Sequence, residues 1–382
     1  MFFFARILAA LTKTGILFLI SKIWTKSQAN FASEILIALS IGMIISALDS
    51  GKIFYNYYFS RSVNSVFKEE YFLRLLVGLF LGGVSLCFVS YQKNISVYVL
   101  IPCLLILVVE RTYDEVQRFL VSNKSYNKWS IIQISRSLLY LAFSPLVFLG
   151  NSNNKDLILF IILLTPTALI LLYIIIFDKC YIFKTVNNLK NNFQKVFSQL
   201  QLNWKPCLIG LVGSSLALPK NILLIEFGNE NINNLHLLFS VCALQSLYIF
   251  SFFLIKKRWK ILQDTGGYSI IDSSFYINLA LSSFSVFIGG LILFKINLVG
   301  ESVFFYFPLI IASEFLLNVN STKRDILFYQ KKETNLLKTD ILILCFFCGL
   351  AFFIPKNLTC GLILLIITEV IRNAFYKNKL SQ

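Results

Sequence analysis

Histidine is nearly missing from this chain of 382 residues, which has only His236. Acidic residues are scarce as well, 19 against 35 Lys and Arg, and no polar stretch is long enough to bury a core of its own. No catalytic motif is recognisable. These shortages exclude a separate water-soluble domain and leave no histidine cluster for acid–base chemistry. His236 opens an apolar stretch, where it reads as an interfacial polar residue rather than a ligand. The eight cysteines lie mostly inside apolar stretches. Cys345 and Cys348 form a Phe-flanked C-x-x-C that reads as packing thiols rather than a redox pair or metal site.

What the chain has instead is apolar length. It is 57% hydrophobic with 38 Phe, and its mean hydropathy is +0.73. Roughly a dozen apolar stretches, each about twenty residues, are separated by short basic loops, the pattern of an all-α polytopic membrane protein. Met1 to Ile20 carries Arg6 and Lys13 with no Ala-x-Ala-like site behind it, so it reads as a retained first helix. The expected spans are 1–21, 32–51, 71–90, 97–117, 129–150, 157–177, 205–225, 235–255, 274–295, 303–320, 339–354 and 358–376.

The net charge of +16 does not point to nucleic acid, because the basic residues flank the spans. With both termini in the cytoplasm, the inward segments hold 23 Lys and Arg. The outward ones hold Lys22, Lys26, Lys93, Lys155 and Lys356, an asymmetry that fits the positive-inside rule and an even number of spans.

The longest inward loop divides the chain into six-helix lobes at 1–177 and 205–382, joined by 178–204. In that linker Phe183, Val186, Leu189, Phe193, Val196 and Leu200 recur at helical spacing among Lys184, Lys190 and Lys195. It reads either as an amphipathic helix on the anionic leaflet or as a solvated linker. The lobes resemble an internal repeat: Glu110 on helix four is followed by Arg118, and Glu314 on helix ten by Arg324.

Seven cations lie within or beside the spans. Arg6, Arg74 and Lys295 are near enough to an end to snorkel. Lys13, Arg111, Arg136 and Lys220 are deeper, where an unpaired cation costs roughly 2.5–3.5 kcal/mol. Arg111 and Arg136 are at similar depth, with Glu110, Asp114 and Glu115 within a turn of Arg111. Two readings stay open. One is an ion-pair cluster stitching helices four and five; the other is a basic lining for a phosphate or carboxylate, which a guanidinium fork grips with two bonds. Glu314 and Glu369 also fall inside spans, as partners for the cations or carriers of a coupling proton.

Three places carry a family resemblance. Ile45-Ser46-Ala47-Leu48-Asp49-Ser50-Gly51 with the later Arg61 resembles an Asp-x-Gly pattern at the inner end of a second helix. Arg118 and Arg324 resemble basic turns after helices four and ten. Leu218-Pro219-Lys220-Asn221-Ile222-Leu223, Phe227-Gly228-Asn229-Glu230 and Phe239-Ser240-Val241-Cys242-Ala243-Leu244 are similar to a seventh helix, outer loop and eighth helix. All three are features of the polysaccharide (O-antigen, Wzx-type) flippases of the multidrug/oligosaccharidyl-lipid/polysaccharide exporter superfamily. The resemblance implies two six-helix lobes in the bacterial inner membrane and no cofactor. It implies an undecaprenyl-pyrophosphate-linked oligosaccharide as cargo, with a polysaccharide polymerase and chain-length regulator as partners. Arg111, Arg136, Lys13 and Lys220 would meet the anionic head group while the lobes rock. Alternatives are an O-antigen polymerase or polyprenol-dependent glycosyltransferase, and a drug/cation antiporter. The enzymes are disfavoured by short outward loops and an acid-free Ser21–Phe31; the antiporter is disfavoured by the excess of deep cations.

Overall fold

A computed structural model describes residues 2–47, 65–122, 125–150, 154–177, 218–228, 231–245, 271, 273–329 and 333–381. Asp49, Arg61, the linker 178–204 and the side chains of Arg74 and Arg118 lie outside the described residues. The described chain is all-α, with no strand. Its helices are α1 (Phe2–Ile23), α2 (Lys26–Ala47), α3 (Ser65–Gln92), α4 (Val97–Ser122), α5 (Tyr126–Phe143) and α6 (Lys155–Phe177). After these come α7 (Leu218–Phe227), α8 (Ile232–Cys242), α9 (Ser273–Lys295), α10 (Glu301–Phe304), α11 (Phe307–Tyr329), α12 (Glu333–Phe353) and α13 (Leu358–Ser381). Eight stretches among the described residues are long and apolar enough to cross a membrane, so this is a multi-pass membrane protein. The 26-residue α4 has the length too, but carries Glu110, Arg111, Asp114 and Glu115 in its second half.

Several boundaries differ from the hydropathy reading. α2 begins at Lys26, not near 32, because Gln28 reaches back to its start: the Thr25 backbone amide and Oγ1 both donate to Gln28 Oε1, at 3.3 and 2.8 Å. The expected turn at 321–338 is mostly helix, since α11 runs on to Tyr329 and α12 starts at Glu333. Hydropathy falls where Lys323 and Arg324 begin, but backbone hydrogen bonding continues because both side chains are buried and bonded to neighbouring helices. The basic turn after helix ten is therefore helical. Helix five is shorter than expected, closing in a 3-10 turn over Ser144–Leu149, where Pro145 lacks an amide donor.

The chain forms two compact units, Met1–Thr12 with Ile35–Ser215, and Lys13–Glu34 with Leu216–Gln382. The second therefore takes in residues from the far ends of α1 and α2. In the first unit α4 packs on α3, α5 and α6. Ala5, Tyr113, Val116, Trp129, Ile132 and Ile174 are among the residues of its core. α2 and α3 meet backbone to backbone, since a Cβ added to Gly82 would sit 2.6 Å from the Gly42 carbonyl oxygen. In the second unit α11 and α13 are the central pair, with α7, α9 and α12 against them. Phe294 stacks on Phe304 at 4.7 Å, and Phe287 on Phe307 at 6.1 Å. Asn233 on α8 holds the nearby ends of α1 and α2, its Oδ1 accepting from Ser33 Oγ at 3.0 Å and Ser21 Oγ at 3.2 Å.

α3 and α9 end alike. Asn94 and Asn297 both adopt left-handed backbone, at φ 52° and 57°. The following amides reach back to the carbonyls of Ser90 and Leu293, at 2.9 and 3.0 Å. The local sequences, Tyr91-Gln92-Lys93-Asn94-Ile95 and Phe294-Lys295-Ile296-Asn297-Leu298, share an aromatic, two intervening residues, Asn and an aliphatic.

Candidate functional site

In the first unit the charges collect around one carboxylate. Arg136 on α5 pairs through Nη2 with Glu110 Oε1 on α4, a close contact. The same oxygen accepts from Thr167 Oγ1 on α6 at 2.6 Å and from the Tyr140 hydroxyl at 3.0 Å. Arg136 Nε donates to Thr167 Oγ1 at 3.1 Å, and the guanidinium lies over the Tyr113 ring, 4.1 Å from its centre. Arg111 points elsewhere. It pairs with Glu115, and at 3.0 Å with Asp114, while Nη2 donates to the Ala47 carbonyl at 3.3 Å, where a cation suits the C-terminal end of α2. Arg111 and Arg136 are 1% and 5% exposed. As arranged, these charges tie α4 to α2, α5 and α6.

The second unit strings its charges along α11 and α13. Lys220 Nζ on α7 lies 2.6 Å from Glu314 Oε1 on α11 and 5.1 Å from the centre of the Phe239 ring. Glu369 pairs with Arg372 on α13, and Asn320 Nδ2 donates to its Oε2 at 2.7 Å. Arg324 Nε donates to Asp340 Oδ2 on α12 at 2.9 Å, and the Tyr376 hydroxyl donates to the other Asp340 oxygen. Lys323 Nζ donates to Asn373 Oδ1 at 2.8 Å.

Of the residues singled out in the sequence, Glu110 meets Arg136, Asp114 meets Arg111, and Glu314 meets Lys220. Glu369 pairs within its own helix. Lys13 is exposed on α1, in the stretch belonging to the second unit. Access separates these cations: the Lys220 side chain is 20% exposed, those of Arg111, Arg324 and Arg372 1% or less. His236 is not simply an interfacial side chain, because its Nδ1 is buried and has no hydrogen-bond partner. Cys345 and Cys348 are free thiols on α12. Among the described residues no group of His, Cys, Asp and Glu is placed to hold a metal ion.

Sequence reasoning missed Asp340, Arg372 and Tyr376, and assigned Arg324 to a loop. The signal was present in the spacing Glu369, Arg372, Tyr376, which puts three polar groups on one face of α13. The chain matches no protein-family model, and comparison with curated proteins and with solved structures also finds no match.

Proposed function

We propose that this protein is a lipid-linked oligosaccharide flippase of the bacterial inner membrane, with twelve spans and both termini cytoplasmic. The head group of an undecaprenyl-pyrophosphate-linked unit enters from the inner leaflet while its tail stays in the bilayer. Alternating access then exposes it to the outer side for O-antigen or related polysaccharide assembly. No bond is made or broken, and no cofactor is required. The carrying observation is Lys220, a cation among apolar helices that keeps a fifth of its side chain exposed while its counter-ion Glu314 is buried. The family resemblance of the sequence supplies the cargo.

The test is complementation of a bacterium lacking its own surface-polysaccharide flippase, with wild type and Lys220→Gln at equal abundance. Wild type is expected to restore surface polymer, and Lys220→Gln to accumulate single lipid-linked units. Failure of wild type in a host making the matching sugar, together with raised efflux of cationic drugs, replaces this reading with the antiporter.

A further inference from the structure

Among the described residues the buried arginines each meet an acid. Arg111 pairs with Glu115, Arg136 with Glu110, Arg324 with Asp340 and Arg372 with Glu369. Lys323 on α11 is 6% exposed and meets no acid among the described residues. Its ammonium donates to Asn373 Oδ1 at 2.8 Å, a neutral partner that uses one of three N–H groups. The charged group within its electrostatic reach is a second cation, Lys377. A buried cation without a counter-ion is costly, and a like charge beside it adds to the cost.

Both cations lie at the end of the second unit where α11 and α13 finish and α12 begins. Lys323 precedes the last residue of α11, Tyr329, by about 9 Å of helix, at the polar edge of the apolar stretch Glu301–Arg324. Asn373 and Lys377 are one turn apart on α13, which ends at Ser381. Lys377 is exposed, with no hydrogen bond or ion pair among the described residues. Asp340 on α12 is engaged by Arg324 and Tyr376, and Glu369 on α13 by Arg372. Beyond Lys377, the same face of α13 carries Ile363, Ile367 and Val370, spaced three and four apart and 45%, 44% and 50% exposed. Two cations lacking an anion therefore cap an exposed apolar stripe.

We propose that Lys323 and Lys377 bind the phosphate of an anionic phospholipid, with Asn373 holding the Lys323 ammonium in place. The phosphodiester oxygens accept from the remaining N–H groups and bring the negative charge that the engaged Asp340 and Glu369 do not supply. Basic pockets between helices at this depth suit phospholipid head groups. The stripe of Ile363, Ile367 and Val370 gives an acyl chain a surface to lie on, so the ligand is an amphiphile rather than a free ion. Lys220, Glu314 and the transported cargo take no part, so the site stands apart from the flippase reading.

Thermal unfolding of the full chain in neutral detergent, with phosphatidylglycerol, phosphatidylcholine or inorganic phosphate added, tests this. Phosphatidylglycerol is expected to raise the unfolding midpoint with dose, and the other two to leave it unchanged. Lys323→Met and Lys377→Gln are each expected to weaken the apparent affinity for phosphatidylglycerol about tenfold. Without lipid, Lys323→Met is expected to unfold no earlier than wild type, since it removes a buried charge rather than stranding one. Lys377 is exposed, so its variant reads the site independently of the packing around Lys323. Lys338→Gln removes an exposed charge near the start of α12 and is expected to keep the wild-type response. Equal stabilisation by inorganic phosphate would overturn the lipid assignment, and equal stabilisation by phosphatidylcholine the recognition of charge. An unchanged affinity in both Lys323→Met and Lys377→Gln, or an equal loss in Lys338→Gln, would overturn the site.

Discussion

In the first unit the polar groups around Arg136 converge on one oxygen, with Arg111 and Glu115 paired apart from it, whereas in the second the buried charges follow a line. Glu110 Oε1 alone receives Arg136, Tyr140 and Thr167, so one oxygen joins α4, α5 and α6. Along α11, Glu314, Asn320 and Arg324 each meet a different partner over about 15 Å of helix. The knot joins three helices at one oxygen, with the Arg136 side chain 7% and that of Glu110 14% exposed. A line has two ends, and these differ: Arg324 is sealed beside Asp340 and Tyr376, while Lys220 is part exposed. Buried ion pairs fix which helices meet more reliably than they add net stability. The first arrangement therefore reads as architecture, and the second as architecture with one open terminus.

The largest effect that would break this contrast comes from Glu110→Ala. It strands a buried guanidinium charge, while Tyr140 and Thr167 keep each other and the Leu163 carbonyl, for an expected loss of about 3–5 kcal/mol in a denaturant titration of the solubilised protein. Replacing both Glu110 and Arg136 by Met is expected to recover most of that loss, since an apolar pair leaves no stranded charge. A Glu110→Ala loss below about 1 kcal/mol would mean that the knot is not a shared anchor.

A middle-sized effect is expected from Tyr376→Phe. It removes one donor to Asp340 but leaves Arg324 in place, so the loss should be about 1.5–3 kcal/mol, below that of Glu110→Ala. If the two losses proved equal in the same titration, the second unit would be as convergent as the first. Asn233→Ala samples the polar hub with α1 and α2, where Ser33 would lose its acceptor and Ser21 the Asn233 amide that donates to it, while Ser21 keeps the Leu17 carbonyl. A loss of about 1–2 kcal/mol is expected there, together with faster labelling of a cysteine placed at Ser33.

How much of this was legible varies by residue. Arg111 with Asp114 is a same-helix spacing and could be read directly. Glu110 also lies within a turn of Arg111, yet it belongs to Arg136, because its oxygen faces α5 and α6. Equal depth of Arg111 and Arg136 was visible in the sequence, but the direction each one points was not. Asp340 and Arg372 lie near the ends of apolar stretches, where hydropathy treats charge as loop. Their burial depends on α11, α12 and α13 packing together, a long-range fact that no local window contains. The all-α class needed only the repeated apolar stretches.

The smallest prediction concerns what the units share. Asn94 and Asn297 sit in left-handed backbone, closing α3 and α9 with the same reach-back hydrogen bond. Alanine tolerates that conformation poorly, at roughly 1–2 kcal/mol, while Asn pays less because its short amide bonds locally. Asn94→Ala and Asn297→Ala should each lower stability by about 1 kcal/mol, and the glycine variants should stay within a few tenths of wild type. A matched pair of losses would support a common origin for the two helix ends, as expected if an ancestral unit was duplicated before its charges diverged. Unequal losses, one near zero, would make the shared Asn a local solution reached twice. The comparison between knot and line would then be one between unrelated structures rather than between two versions of one.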